Sequence, residues 1–109
     1  MRGGEIVMVK QMDICDTTLL DYEKTFKALS DQKRLHILRI LATEGRTFVY
    51  DLGESLGLPQ SKLSYHLKIL LDMNFISVER EGKWNYYSAN SNEIKRILSP
   101  DLCCLFYPE

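Results

Sequence analysis

The chain has 109 residues, is 45% hydrophobic and 27% charged, and carries a formal net charge of −1. That length suits one domain, and that apolar fraction can fill a core, which excludes a wholly disordered chain. The near-neutral total excludes a uniformly basic nucleic-acid binder, no apolar run reaches the roughly 20 residues that span a bilayer, and an odd count of three cysteines makes no disulfide framework.

Residues 1–15 are expected to form an N-terminal arm, read either as a tail or as a strap that packs on a partner subunit. Gly3 to Val9 is too short and too acidic for a secretory signal, so a cytoplasmic location with reduced thiols is expected. The domain proper is expected over residues 16–109. Its first helix should start at Asp16 or Thr18, where Thr18 and Asp21 approximate a capping box. Leu19, Tyr22, Phe26 and Leu29 then follow at helical spacing.

Ser30 or Asp31 should cap a second helix. Its wide apolar stripe (Leu35, Ile37, Leu38, Ile40, Leu41, Ala42) marks it as the central post of the core, and Gly45 suits its C-terminal stop. His36 lacks a second histidine four residues away and reads as a surface residue rather than a metal ligand. Residues 24–46 hold six cations against two carboxylates, so the positive charge is concentrated there and the rest of the chain is acidic. Thr47 is placed to cap a third helix that points Val49, Leu52 and Leu56 inward. Gly53 inside that helix should cost about 1 kcal/mol relative to alanine.

The most informative stretch is Asp51 to Ser88. Gly57 and Pro59 separate two helical patterns, as a tight turn requires. In the second pattern Leu63, Leu67, Leu70 and Leu71 face a core. Gln60, Ser61, Lys62, Ser64, Tyr65 and Lys68 occupy the opposite face. Short hydrogen-bonding side chains, two cations and a phenol are the groups that reach base edges and phosphates in a major groove. A helix-turn-helix is therefore expected. His66 lies next to core positions and reads as a structural hydrogen-bonding residue.

From Phe75 to Arg80 the pattern alternates, Ile76 and Val78 against Ser77 and Glu79. It resumes at Trp84 and Tyr86 after a turn expected at Glu81–Gly82. Arg80 and Lys83 flank the tip. The expected fold is mainly α with one small β-hairpin, a winged helix-turn-helix. The wing would touch the DNA backbone or minor groove. Asn90 or Ser91 should open a last helix with Ile94, Ile97 and Leu98 on one face. Ser99–Pro100 would either kink that helix or start another. The apolar surface continued by Leu102, Leu105 and Phe106 calls for a cover, and with the first helix it is read as a homodimer interface.

Three blocks, FKALSDQKRLHILRIL (26–41), LGLPQSKLSYHLKIL (56–70) and FISVEREGKWNYYS (75–88), resemble the ArsR/SmtB winged-helix repressors. The resemblance covers most of residues 24–90. It implies a homodimer that represses its own operon from a palindromic operator and is released by an inducer, often a metal or metalloid ion. It also implies DNA contacts by Gln60, Ser61, Lys62, Ser64, Tyr65, Lys68, Arg80 and Lys83. Two known sensor patterns are missing. Phe48 and Tyr50 stand where arsenic sensors of one type carry a Cys-x-Cys pair, and residues 91–106 have no histidine for the zinc site of other members. Gln32 replaces a proline common in the family.

Cys15, Cys103 and Cys104 remain as candidate metal ligands. Thiolates select Cu(I), Zn, Cd or trivalent arsenic. Neighbouring cysteines on a helix project about 100° apart, so both would reach one ion only at a frayed end or turn. A methylated arsenical needs only two thiolates, which Cys103 and Cys104 supply. Arsenite needs a third, and Cys15 fits if the first helix of one subunit meets the last helix of the other. Alternatively, these cysteines are small buried hydrophobes or redox or persulfide sensors. No cofactor is expected to be permanently bound. As(III) or methylarsenite is the expected inducer, with Cd(II) and Zn(II) as further candidates.

The expected partners are a double-stranded DNA operator and a second copy of the chain, with no membrane. The alternative from another class is a winged-helix module that binds protein. An enzyme is not expected, because the chain has no Gly-rich phosphate loop, no His-x-x-x-His pair and no carboxylate constellation around a nucleophile.

Overall fold

A computed structural model describes residues 18–100 and Phe106. Within them the chain forms α1 (18–29, already helical at residue 18), α2 (Gln32–Glu44), β1 (Thr47–Phe48), α3 (Val49–Leu56), α4 (Gln60–Asp72), β2 (Ile76–Glu81), β3 (Trp84–Ala89) and α5 (Ser91–Ile97). The expected arm and the residues before Thr18 lie outside the described residues, as do Leu102 and Leu105.

Asp31 starts α2. Its Oδ1 accepts from the backbone N–H groups of Lys33 at 2.8 Å and Arg34 at 3.2 Å, satisfying donors that have no partner inside the helix. Gly45 ends the helix at φ 81°, its N–H on the Leu41 carbonyl. Ile37, Leu38 and Leu41 are fully buried, as the stripe predicts, but Leu35 stays 38% exposed. His36 is exposed on the surface of α2.

The segment after Gly45 departs from expectation. Thr47 does not cap α3; its hydroxyl donates to the Gly45 carbonyl at 2.8 Å. Thr47 and Phe48 form a short strand opposite Tyr87 and Tyr86, making a three-stranded antiparallel sheet in the order β1-β3-β2. Phe48 takes the cap position without a side-chain hydrogen bond. Two residues are too few to show any alternation, which is why the strand is invisible in the sequence.

Gly57 turns the chain from α3 to α4 in the left-handed conformation, at φ 64° and ψ 33°. Gly53 has a packing reason. A Cβ there would lie 3.3 Å from Cδ2 of Leu63, so the two helices touch at a residue with no side chain. Leu52, Leu63, Leu67 and Leu70 join the α2 residues, Phe75, Ile76, Tyr87 and Ile94 in one core, and Phe106 is buried against it. Each large apolar side chain so buried contributes about 1.5–3 kcal/mol.

The wing closes one residue later than the sequence suggests. Glu81 pairs with Trp84, so Gly82 and Lys83 make a two-residue turn, with Gly82 at φ 63°. A two-residue hairpin turn needs a positive φ at its first position, which fixes Gly82 there rather than second. Asn90 caps α5, accepting from Glu93 N–H at 3.4 Å. Its amide also donates to the carbonyl of Asn74, a residue at φ 64° in the α4–β2 turn. One side chain thus ties both ends of the wing together. Leu98 is extended and Pro100 is helical, so Ser99–Pro100 ends α5 rather than kinking it.

Candidate nucleic-acid interface

The second helix of the helix-turn-helix, α4, splits cleanly. Leu63, His66, Leu67 and Leu70 are buried, whereas Gln60, Ser61, Lys62, Ser64, Tyr65 and Lys68 are all exposed. Tyr65 stands out from this helix, 62% exposed. The N-terminus of α4 carries no side-chain cap and no acidic residue in its first turn. Its free N–H groups and positive dipole end are therefore available to an anion, in contrast to α2, where Asp31 fills that place. Lys68 reaches back to Asp72 at 3.5 Å. Lys62 has no carboxylate within ion-pair distance among the described residues.

The wing is braced. Arg46, just before β1, bonds Glu79 at 2.8 Å and Glu81 at 2.7 Å, and its guanidinium lies 4.0 Å from the Tyr86 ring centroid. Phe48 packs on Trp84, Tyr86 and Tyr50 at 5.3 to 5.7 Å. This aromatic group on the outer sheet face was missed in the sequence, where only the alternation of Trp84 and Tyr86 hinted at it. At the tip, Arg80 Nε donates to the Gly82 carbonyl at 3.1 Å, and the Lys83 ammonium stands 5.3 Å from the Trp84 ring. Both predicted wing cations are exposed at the turn.

The cluster of cations over residues 24–46 is not one footprint. Arg46 is engaged with the wing, Lys27 pairs with Glu23 at 3.4 Å, and Arg34 is buried at 8% exposure. Arg34 Nε donates to the Ala28 carbonyl at 2.7 Å and NH2 to the Lys27 carbonyl at 3.3 Å. NH1 lies 2.9 Å from His66 Nδ1 and 3.9 Å from the Asp31 carboxylate. Local charge counting cannot see that a cation is spent inside the fold. His66, 7% exposed, is the structural residue expected, and Arg34 is the partner the sequence did not reveal. Burial holds the His66 pKa below that of a free histidine. Asp31 opposes this, and Arg34, Lys33 and Lys62 add to it. Partial burial disfavours the Asp31 charge, but the N–H groups of Arg34 and Lys33 outweigh it and keep that carboxyl below its usual range.

Cys15, Cys103 and Cys104 lie outside the described residues. Among the described residues no group of three His, Cys, Asp or Glu side chains is arranged to hold a metal ion, and no helix is long and apolar enough to cross a membrane.

With this geometry in hand, relatives are informative. The family model "Bacterial regulatory protein, arsR family" matches residues 31–78, from the α2 cap to the middle of β2. The arsenical resistance operon repressor of Bacillus subtilis strain 168 is 53% identical over 96 residues, covering 87% of this chain and 91% of that protein. The chain belongs to the arsR family. The cadmium resistance transcriptional regulatory protein CadC homolog of Staphylococcus aureus is 31% identical over 86 residues, 79% of this chain and 71% of that one. Among solved structures, NolR from Sinorhizobium fredii superposes with a TM-score of 0.72 at 32% identity, covering 84% and 89% of the two chains. The homodimeric winged helix-turn-helix domain of Mb0332 from Mycobacterium bovis gives 0.70 at 27% identity, covering 78% of each. The expected fold class and the family resemblance are both met. The protein is a winged helix-turn-helix transcriptional regulator and not an enzyme.

Proposed function

We propose that this regulator is a homodimeric repressor that sits on a palindromic operator and leaves it when a thiophilic ion, trivalent arsenic above all, binds its cysteines. The observation that carries the DNA half is the exposed polar face of α4 beside a wing held in place by Arg46. Gln60, Ser61 and Ser64 supply short donors and acceptors for base edges, Lys62, Lys68 and Tyr65 reach phosphates, and Arg80 and Lys83 extend the contact from the wing. Two copies are needed, since recognition helices read successive major grooves about 34 Å apart. Supporting the dimer, α1 leaves Leu19, Leu20, Tyr22 and Phe26 exposed, Phe26 by 55%, an apolar face that the isolated subunit does not cover.

The sensing half rests on donor chemistry and on the arsenical and cadmium resistance repressors among the relatives. With no metal-binding group among the described residues, Cys15, Cys103 and Cys104 are the soft donors left. Three thiols displace the three hydroxyls of arsenite as water; two suffice for methylarsenite, which Cys103 and Cys104 would hold. Cd(II) and Zn(II) remain weaker candidates on the same ligands. Ligand binding at the dimer interface would move the recognition helices out of step with the grooves. A coupling of about 1–3 kcal/mol lowers affinity fivefold to about a hundredfold.

The test is a gel-shift series with the reduced protein and a duplex carrying the sequence upstream of its gene. Affinity should fall steeply with salt, and arsenite should release the duplex. A flat salt response would instead favour a winged-helix module that binds protein. Retention of the duplex under arsenite, methylarsenite, Cd(II) and Zn(II) alike would end the sensing proposal.

A further inference from the structure

The bond between Arg34 and His66 spans three elements. His66 belongs to the recognition helix, Arg34 to α2, and the carbonyls that hold the other two guanidinium nitrogens belong to Lys27 and Ala28, at the end of α1. The exposed apolar face of α1 is the one read above as the dimer contact. A guanidinium only donates, so His66 Nδ1 must accept, and the ring must be the neutral tautomer with its proton on Nε2. We propose that this bond is the strut that fixes the recognition helix against α1, which makes Arg34 and His66 positioning residues for operator recognition, although neither touches DNA.

The geometry supports this over simple core filling. The three hydrogen-bond acceptors of Arg34, on Ala28, His66 and Lys27, each engage a different guanidinium nitrogen, so the group fixes an angle as well as a distance. A planar, five-donor group suits that task where an ammonium does not. Two operator half-sites demand that both recognition helices keep one orientation relative to the dimer axis. This bond joins α4 to α2 through side-chain polar atoms; the leucine and isoleucine packing between the same helices is non-directional. The strut holds only while the ring is neutral. A proton on Nδ1 would remove the acceptor and place an imidazolium 2.9 Å from a guanidinium. The other ionisable groups facing the ring are Asp31 and Lys33 at the start of α2, and Lys62 and Tyr65 on α4 itself. Asp31 alone favours the imidazolium. Its carboxylate is already held by two backbone N–H groups and lies 3.9 Å from Arg34, so it does not replace the lost bond.

This inference rests on the DNA-binding reading, and the experiment separates the two. Wild type, His66→Leu and His66→Gln are compared on the upstream duplex and on a random duplex of equal length, with circular dichroism and sedimentation as checks on fold and dimer. His66→Leu should lose at least about fivefold in the ratio of specific to non-specific affinity, at the lower end of usual coupling. His66→Gln should stay within about twofold, because its amide oxygen accepts from Arg34 and does not titrate. Lowering the pH from about 7.5 to about 5 should reduce the wild-type ratio but not the Gln ratio. Wild-type specificity in a folded His66→Leu dimer, or equal acid loss in wild type and His66→Gln, would overturn the proposal. If wild type does not distinguish the duplexes, the DNA-binding reading fails, and nitrogen-15 spectra of the free protein decide the strut. Protonation of His66 must then move the amides of residues 27–30 together with those of α4; independent titration overturns it.

Discussion

The guanidinium of Arg46 lies 4.0 Å from the ring of Tyr86 while bonding Glu79 and Glu81 across the sheet. One residue at the α2–β1 junction thus grips both long strands of the wing. It also neutralises two carboxylates that would otherwise face a polyanion from the same hairpin that carries Arg80 and Lys83. Arg46→Gln should leave the thermal midpoint nearly unchanged, because exposed ion pairs contribute little to stability. Operator affinity should fall several-fold as the two acids are released, and Glu79→Gln with Glu81→Gln should restore most of it. Titration of a labelled duplex with the three proteins checks this. An unrecovered loss would mean that Arg46 contacts DNA itself.

The helical periods were broadly legible in the sequence, whereas the cap expected at Thr47 is not formed. The α4 leucines and the polar residues between them define both faces of the recognition helix, because a 3.6-residue repeat sorts side chains by direction. Asp31 was legible as a cap by its chemistry. Three features were not. The two-residue strand Thr47–Phe48 is shorter than any alternation that could reveal it. The hairpin turn slipped from Glu81–Gly82 to Gly82–Lys83, since only the cross-strand register decides which residue takes the positive φ. And the side-chain partners His66 of Arg34 and Glu79 of Arg46 lie 32 and 33 positions away, so both cations looked available to DNA when both are engaged.

Of the two recognition-helix lysines, Lys62 should matter more. Lys68 must first leave Asp72, 3.5 Å away, whereas Lys62 has no such partner among the described residues. Each phosphate contact adds about 0.9 to the slope of log affinity against log salt, so Lys62→Ala in a dimer should flatten it by about 1.8. Lys68→Ala should lower it less, and Asp72→Asn should raise affinity. Equal slopes for wild type and Lys62→Ala would remove Lys62 from the interface.

Stability itself should depend on His66. Its folded pKa lies below that of the unfolded chain, chiefly through burial. The unfolded state therefore binds the proton first as pH falls, and stability drops from about pH 6.5 downward, levelling off below the folded pKa. Asp31 contributes with the same sign in a more acidic window. Its depressed pKa adds stability above about pH 4 that is lost only in stronger acid. Denaturant unfolding of wild type and His66→Gln between pH 7.5 and 5 should show the decline in wild type alone.

Gly53→Ala tests the α3–α4 contact. Alanine gains about 1 kcal/mol of helix propensity over glycine, but its Cβ would meet Leu63 Cδ2 at 3.3 Å. Leu63 is 3% exposed and its Cδ2 must give by a few tenths of an ångström, and overpacking costs about 1–3 kcal/mol. The clash should win by about 1 kcal/mol. Gly53→Ala with Leu63→Val should recover part of that, since the shorter side chain removes the opposing methyl. A stabilised single mutant would show that the two helices part without cost.

The cysteines divide the candidate inducers. Three thiolates fill the valences of arsenite, and two fill those of methylarsenite. Cys15→Ser should therefore weaken release by arsenite much more than release by methylarsenite. Cys103→Ser or Cys104→Ser should abolish release by arsenite, which loses its third thiolate, and weaken release by methylarsenite, which loses its adjacent pair and keeps only Cys15 with one C-terminal thiol. All three variants should bind the upstream duplex like wild type, since the exposed face of α4 carries no cysteine. The readout is the concentration of each arsenical that frees half of the duplex at fixed protein. If Cys15→Ser responds to arsenite like wild type, Cys15 is not a ligand and the site lies within the last residues alone. If the double replacement of Cys103 and Cys104 still responds, the thiols do not gate the repressor.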